Sequence, residues 1–226
     1  ELIKWAVFKR GHDARKRNNI QLIYTIVVNV ENEELILKKF EKDHRVSLAP
    51  NTEYHYPVTA TANSNERPII IGMGPCGIFA ALALAEMGFK PILIERGKKV
   101  KARTVDTFGF WKKGVLNPES NVQFGEGGAG TFSDGKLHTG IKDKRFIGRK
   151  VIKEFIKAGA SEEILTISKP HIGTLKLVKV VENMRNTILS LGGEIKFESK
   201  VTDLIIEDKQ IKGVVLSTGE EIASKH

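Results

Sequence analysis

The spacing of apolar positions changes character near residue 68. Before that point the chain alternates extended apolar stretches with polar loops. Ile20–Val30 (IQLIYTIVVNV) is dense in β-branched residues and long enough for a strand. The half-apolar stretch Leu2–Phe8 predicts an earlier strand, with Gly11–Asn19 as a polar, basic loop between the two. Asn32 is placed to cap a helix carrying Leu35, Leu37 and Phe40, with Glu33 and Glu34 at its start and lysines later, the polarity a helix dipole favours. Residues 1–62 therefore read as a small α+β domain. The polar run Thr61–Arg67 (TANSNER), followed by Pro68, predicts a linker over residues 63–67.

From Pro68 the order becomes strand, glycine turn, helix, strand: Pro68–Ile71, Gly72–Gly77, Ile78–Met87 and Pro91–Ile94, with Gly88 where a helix-ending glycine belongs. Val151, Ile152, Phe155 and Ile156 form one helical apolar face, closed by Gly159. Leu177, Val180, Val181, Met184, Ile188 and Leu191 form a second, closed by Gly192-Gly193. The tail reads as three short strands, 194–199, 201–208 and 211–217. Residues 68–226 are thus expected to form one α/β domain.

Composition narrows the function classes. The chain has 226 residues, 41% hydrophobic and 28% charged, which is ordinary for a globular protein. No apolar run reaches the roughly 18 residues of a membrane span, and the chain start lacks a signal-peptide pattern. One cysteine, Cys76, excludes a disulfide or a dithiol relay within the chain and suits a reducing, cytoplasmic setting. The formal net charge of +9 leaves a nucleic-acid partner open as a rival, a basic RNA-binding N-terminal module with a nucleotide-binding regulator. Lysines spread along the whole chain favour a solvated surface instead. No metal-ligand spacing is present.

Ile71-Gly72-Met73-Gly74-Pro75-Cys76-Gly77 matches G-x-G-x-x-G in the context that gives the pattern meaning, an apolar strand before it and an Ala-rich helix after it. Gly72 permits the tight turn, Gly74 lets backbone approach a pyrophosphate, and Gly77 lets helix and strand pack closely. Pro75 sits inside the helix start, and the amide of Cys76 faces the phosphates. Glu95, 18 residues after Gly77, stands where a dinucleotide fold places the acid for the ribose hydroxyls, which disfavours a 2′-phosphate. FAD and NAD both satisfy this loop. A second glycine-rich segment, Phe124–Gly135, holds five glycines in the eleven residues 125–135. It suits a longer dinucleotide, FAD, whose pyrophosphate and ribityl chain can follow Gly127, Gly128, Ala129, Gly130 and Thr131. Glycine at 74 is expected to be less replaceable than at 127, whose glycine neighbours can share an adjustment. His171, after Pro170, is the sole catalytic candidate, as a proton donor.

The same segments resemble a known family. Together with His12-Asp13-Ala14-Arg15-Lys16-Arg17, Glu95-Arg96-Gly97 and Lys169-Pro170-His171-Ile172-Gly173-Thr174, they are similar to the FAD-dependent dehydrogenases of the glutathione-reductase-like superfamily, and more narrowly to bacterial NAD(FAD)-utilising dehydrogenases. The resemblance implies a ferredoxin-like N-terminal module before a Rossmann-like FAD/NAD(P)-binding domain, and an oxidoreductase acting on an unidentified small molecule, with NAD(P)H as a possible electron donor. It carries Glu95 to the adenosine ribose, Arg103 to a phosphate and backbone at Val201 to adenine, and places Arg96 among the cofactor-binding residues. It further implies that residues 68–226 are an incomplete FAD domain, truncated at the C-terminus, that needs a missing C-terminal domain of the same chain for turnover.

Overall fold

The computed structural model describes residues 1–61 and 66–226. Along the chain come strands β1 (Leu2–Asp13) and β2 (Gln21–Val30) and helix α1 (Glu33–Lys39). Then follow β3 (Ile69–Ile71), α2 (Pro75–Glu86), β4 (Ile92–Ile94), α3 (Val100–Lys113) and α4 (Ile147–Lys157). Helix α5 (Thr174–Ser190) and strands β5 (Glu194–Lys196), β6 (Val201–Glu207), β7 (Gln210–Leu216) and β8 (Glu221–Ala223) complete the order. The chain is a mixed α/β protein. Among the described residues no helix is long and apolar enough to cross a membrane.

Two compact units result, and their boundaries are not contiguous in sequence. One takes Glu1–Tyr54 together with Leu137–Ile156 and Ser161–His171; the other takes His55–Lys136, Lys157–Ala160 and Ile172–His226. The division predicted from sequence, with its break over residues 63–67, placed every residue past 68 in one domain. Part of that linker lies outside the described residues. Arg67, at its end, is held by Glu194 at 2.7 Å.

In the first unit β1 and β2 pair antiparallel, with Val7 opposite Ile26 and irregularities between Leu2 and Lys4 and between Val7 and Lys9. β1 runs through Asp13, so it consumes the first residues of the expected loop. On its other side Arg10 exchanges backbone hydrogen bonds with the 166–168 segment, donating to Thr166 O at 2.7 Å and accepting from Ser168 N at 3.0 Å. A ferredoxin-like module is not formed: among the described residues the sheet has two strands. Trp5, Leu22 and Tyr24 on these two strands are exposed. Asn32 does not cap α1 through its side chain. It takes the left-handed conformation (φ 57), and its carbonyl receives the Leu35 and Ile36 amides. The local hydrogen bonding of asparagine tolerates that conformation.

In the second unit β3, β4 and β5 form a parallel sheet in that order, Ile70 beside Leu93 beside Ile195. β4 is buried on both faces, as continuous apolar runs in parallel sheets are. Helix α2 buries Ile78, Ala81, Leu82 and Ala85, and α5 packs against it through a stripe that includes Val180, Val181, Met184 and Ile188. The antiparallel sheet β6-β7-β8 adds Val214 and Leu216 to a core shared with Ile92 and Ile94. Helix α3 has no counterpart in the sequence reading. Its buried stripe is Val100, Arg103 and Thr107, at helical spacing but with a single apolar member.

Candidate functional site

The site begins where β3 stops. Gly72 turns the chain with φ 92 and donates its amide to Ile94 O at 2.7 Å. Gly74, extended, starts α2 with no side-chain cap, and Pro75 follows at the first helical position. The first amides of α2, at Cys76 and Gly77, are therefore left facing outward from the helix end, and the helix dipole adds positive potential there. A Cβ at Gly77 would strike the Gly72 carbonyl, so glycine at 77 sets the close approach of helix to turn. A Cβ at Gly74 would meet no protein atom within 4 Å.

Glu95 closes the opposite side from the end of β4. It is 5% exposed, and each carboxylate oxygen accepts one backbone amide: Oε2 from Met73 at 2.7 Å and Oε1 from Gly97 at 2.8 Å. The carboxylate thus ties the end of β4 to the glycine turn after β3. Each oxygen keeps a further lone pair for another donor.

The second glycine segment lies directly against the first. Gly127 N donates to Met73 O at 2.8 Å, and a Cβ at Gly128 would come within 3.1 Å of Gly74 Cα and Pro75 Cδ. Arg103 organises this segment from α3. It is fully buried, and its guanidinium donates to the carbonyls of Asn121 (2.7 Å), Val122 (2.6 Å), Gly125 (3.3 Å) and Glu126 (2.6 Å). Burial pushes its pKa down to about 10, against the opposing pull of Glu95 and Glu126. Arg103 was expected at a phosphate. Here four hydrogen bonds run from its guanidinium to the loop backbone, which shapes the loop.

Glu126 is buried beside it, accepting from Val100 N at 2.7 Å and pairing with Arg185 at 2.7 Å. Burial raises its pKa, while the Val100 amide and Arg185 act in the opposite direction. Thr131 is also buried, its hydroxyl donating to Glu126 O at 3.3 Å.

Between the two glycine segments lies a cavity of about 330 Å³. It is lined by Gly72, Gly74, Glu95, Arg96, Gly128 and Val201 from the predicted set, and also by Gln123, Phe124, Ser199 and Lys200. Arg96 stacks its guanidinium 3.9 Å from the Phe124 ring centroid and pairs with Glu119, which Lys200 also holds at 3.1 Å. Phe124 and Lys200 escaped the sequence reading, although the Phe flanking the glycines was a usable signal. Gly127, Ala129, Gly130 and Thr131 do not line the cavity. Pro75 and Cys76 are exposed at the α2 start. His171 is exposed, belongs to the other unit and is not among the residues that line this cavity.

No family model matches the chain. An uncharacterised protein of Clostridium beijerinckii is 46% identical over 211 residues, covering 93% of this chain and 39% of the relative. The tRNA uridine 5-carboxymethylaminomethyl modification enzyme MnmG of Alkaliphilus metalliredigens is 29% identical over 158 residues, covering 69% of this chain and 22% of the enzyme. The chain therefore spans well under half the length of both relatives. Among solved structures, the 3-ketosteroid-delta4-(5alpha)-dehydrogenase of Rhodococcus jostii RHA1 aligns with a TM-score of 0.43 at 13% identity, covering 75% of this chain and 46% of the enzyme.

Proposed function

We propose that the chain carries the nucleotide-binding part of an FAD-dependent oxidoreductase, with a Rossmann-like arrangement of β3, α2 and β4. One observation carries this reading: the space at Gly74 is free of protein atoms, it lies at an uncapped helix start, and the Glu95 carboxylate lines the same cavity. A pyrophosphate needs that approach to backbone, and the adenosine ribose needs that acid.

In this reading the amides of Cys76 and Gly77 hold the pyrophosphate. Glu95 accepts the ribose hydroxyls on the lone pairs that Met73 and Gly97 leave, and its charge turns away a 2′-phosphate. Arg96, fixed by Glu119 and Phe124, walls the ribose end, and backbone at Val201 lies in the same cavity for the adenine. Arg103 and Glu126 hold the second glycine segment against Gly74 and Pro75 without touching the ligand. When bound, FAD supplies a ring that accepts a hydride; the residues described here supply its placement.

The visible spectrum of the purified chain, with the released nucleotide identified by chromatography, tests this. Flavin absorbance and release of FAD are expected. A colourless protein that retains NAD instead, or one that binds neither after incubation with both, overturns the proposal.

A further inference from the structure

The first unit holds a larger cavity than the one at Gly74, about 720 Å³, formed entirely within that unit. This size lies within the range of small-molecule sites, about 300–1,000 Å³. Its apolar wall includes Phe8 of β1, Phe146, Ile152 and Phe155 around α4, and Ile164 and Ile167 from the segment beside Arg10. Phe8 and Phe146 meet edge to face at 6.1 Å, which fixes the ring orientation.

Into this apolar setting the chain brings cations. Arg149 of α4 lines the cavity with its guanidinium 4.5 Å from the Phe8 ring centroid. Its Nη1 reaches the Phe8 and Leu165 carbonyls only at 3.5 and 3.4 Å, the long end of hydrogen bonding. Among the described residues no carboxylate pairs with Arg149, and burial lowers its pKa. Lys9 and Lys169 line the same cavity. The acid of the lining, Asp143, is committed elsewhere: it accepts the Gly148 amide at 2.6 Å, with Ile147 and Arg145 amides also holding its pKa low. A half-buried guanidinium with donors to spare and no counter-ion costs free energy that a bound anion would recover.

We propose that this cavity binds an organic anion with an apolar body, of the aromatic-carboxylate class, its carboxylate on Arg149 and its ring against Phe8, Phe146 and Ile152. Apolar walls select the body and the guanidinium selects the charge. Neither alone suffices: an inorganic anion leaves the walls wet, and a neutral ring leaves Arg149 unpaired. This site is independent of the nucleotide reading, since it shares no residue with the Gly74 cavity.

The test uses the whole 226-residue chain, with isoleucine methyl groups labelled for NMR, titrated with naphthoate and with naphthalenemethanol. Naphthoate is expected to bind at least about tenfold more tightly, a difference near 1.4 kcal/mol, and to shift the methyls of Ile152, Ile164 and Ile167. Inorganic phosphate should compete poorly. Arg149→Met should bring naphthoate down to the affinity of the alcohol; if that variant fails to fold, the methyl shifts and the ligand comparison on the unaltered chain decide alone. Equal affinity for acid and alcohol, shifts confined to other isoleucines, or phosphate competing as well as naphthoate would each overturn the assignment.

Discussion

At Gly74 an added Cβ would find no protein atom within 4 Å, whereas at Gly127 it would run into the Thr131 hydroxyl and at Gly125 into the Arg103 side chain. The two segments look alike as strings of glycine. In the first, Gly72 takes φ 92 and Gly77 faces the Gly72 carbonyl, which leaves Gly74 as the position whose missing Cβ opens onto space free of protein atoms. The second is glycine-rich largely because the chain packs on itself, with φ 122 at Gly125 and φ 87 at Gly127, a region that β-carbons disfavour. Glycine density alone cannot separate a ligand cradle from a tightly folded loop. What a missing Cβ would touch does.

The largest effect should come from the residue that holds the second segment together. Arg103→Met leaves the Asn121 and Val122 carbonyls without their donor and leaves Glu126 O with the Thr131 hydroxyl alone, and unsatisfied buried groups cost roughly 1–3 kcal/mol each. A loss of at least about 3 kcal/mol is expected in urea unfolding. A loss confined to nucleotide affinity, with stability intact, would return Arg103 to the phosphate.

Gly127→Ala should follow, costing about 2–4 kcal/mol from left-handed strain and overpacking together. Gly74→Ala, with ordinary extended backbone, should cost under about 1 kcal/mol and yet lower FAD retention on equilibrium dialysis. The sequence argument ranked these two by ligand loss alone, with Gly127 the more tolerant because neighbouring glycines would adjust. The Thr131 contact removes that tolerance, and the two variants should separate by observable: melting for Gly127→Ala, binding for Gly74→Ala. Equal melting losses would erase the distinction between the segments.

The smallest effect is on pH dependence. Burial raises the pKa of Glu126 above its ordinary 4.5. Above pH 4.5 the folded chain therefore keeps a proton that the unfolded chain has released, and this group's contribution to stability falls as pH rises through that window. Glu126→Gln should flatten the profile above pH 4.5 in urea midpoints; an unchanged slope would mean that Arg185 and the Val100 amide fully offset the burial.

The segment from Ile69 to Glu95 was legible because its signals are local. Three isoleucines, a glycine turn, an Ala-rich helix and Gly88 at φ 87 stand within one stretch, and the structure follows them. Helix α3 was not legible, since one valine, one arginine and one threonine make its buried stripe and no hydrophobic period marks it. The joining of Leu137–Ile156 and Ser161–His171 to the N-terminal unit was also hidden, because it involves backbone pairing between Arg10 and residues more than 150 positions away. Of the residues that line the cavity, Gly72, Gly74 and Glu95 were named from spacing, and Arg96 and Val201 from the resemblance. Gln123, Phe124, Ser199 and Lys200 arrive through folds of the chain that spacing does not record.

The grip of Arg103 on four carbonyls has a consequence for when the second segment is ordered. Residues 121–126 form neither helix nor strand; besides the turn bonds to Asn121 and the Glu126–Arg185 pair, α3 holds them through Arg103. Segment and helix are expected to gain and lose order together, as one cooperative unit with one opening free energy. In hydrogen exchange the amides of Gly127 and Val100, bonded to Met73 and Glu126, would report that single opening rather than two separate ones.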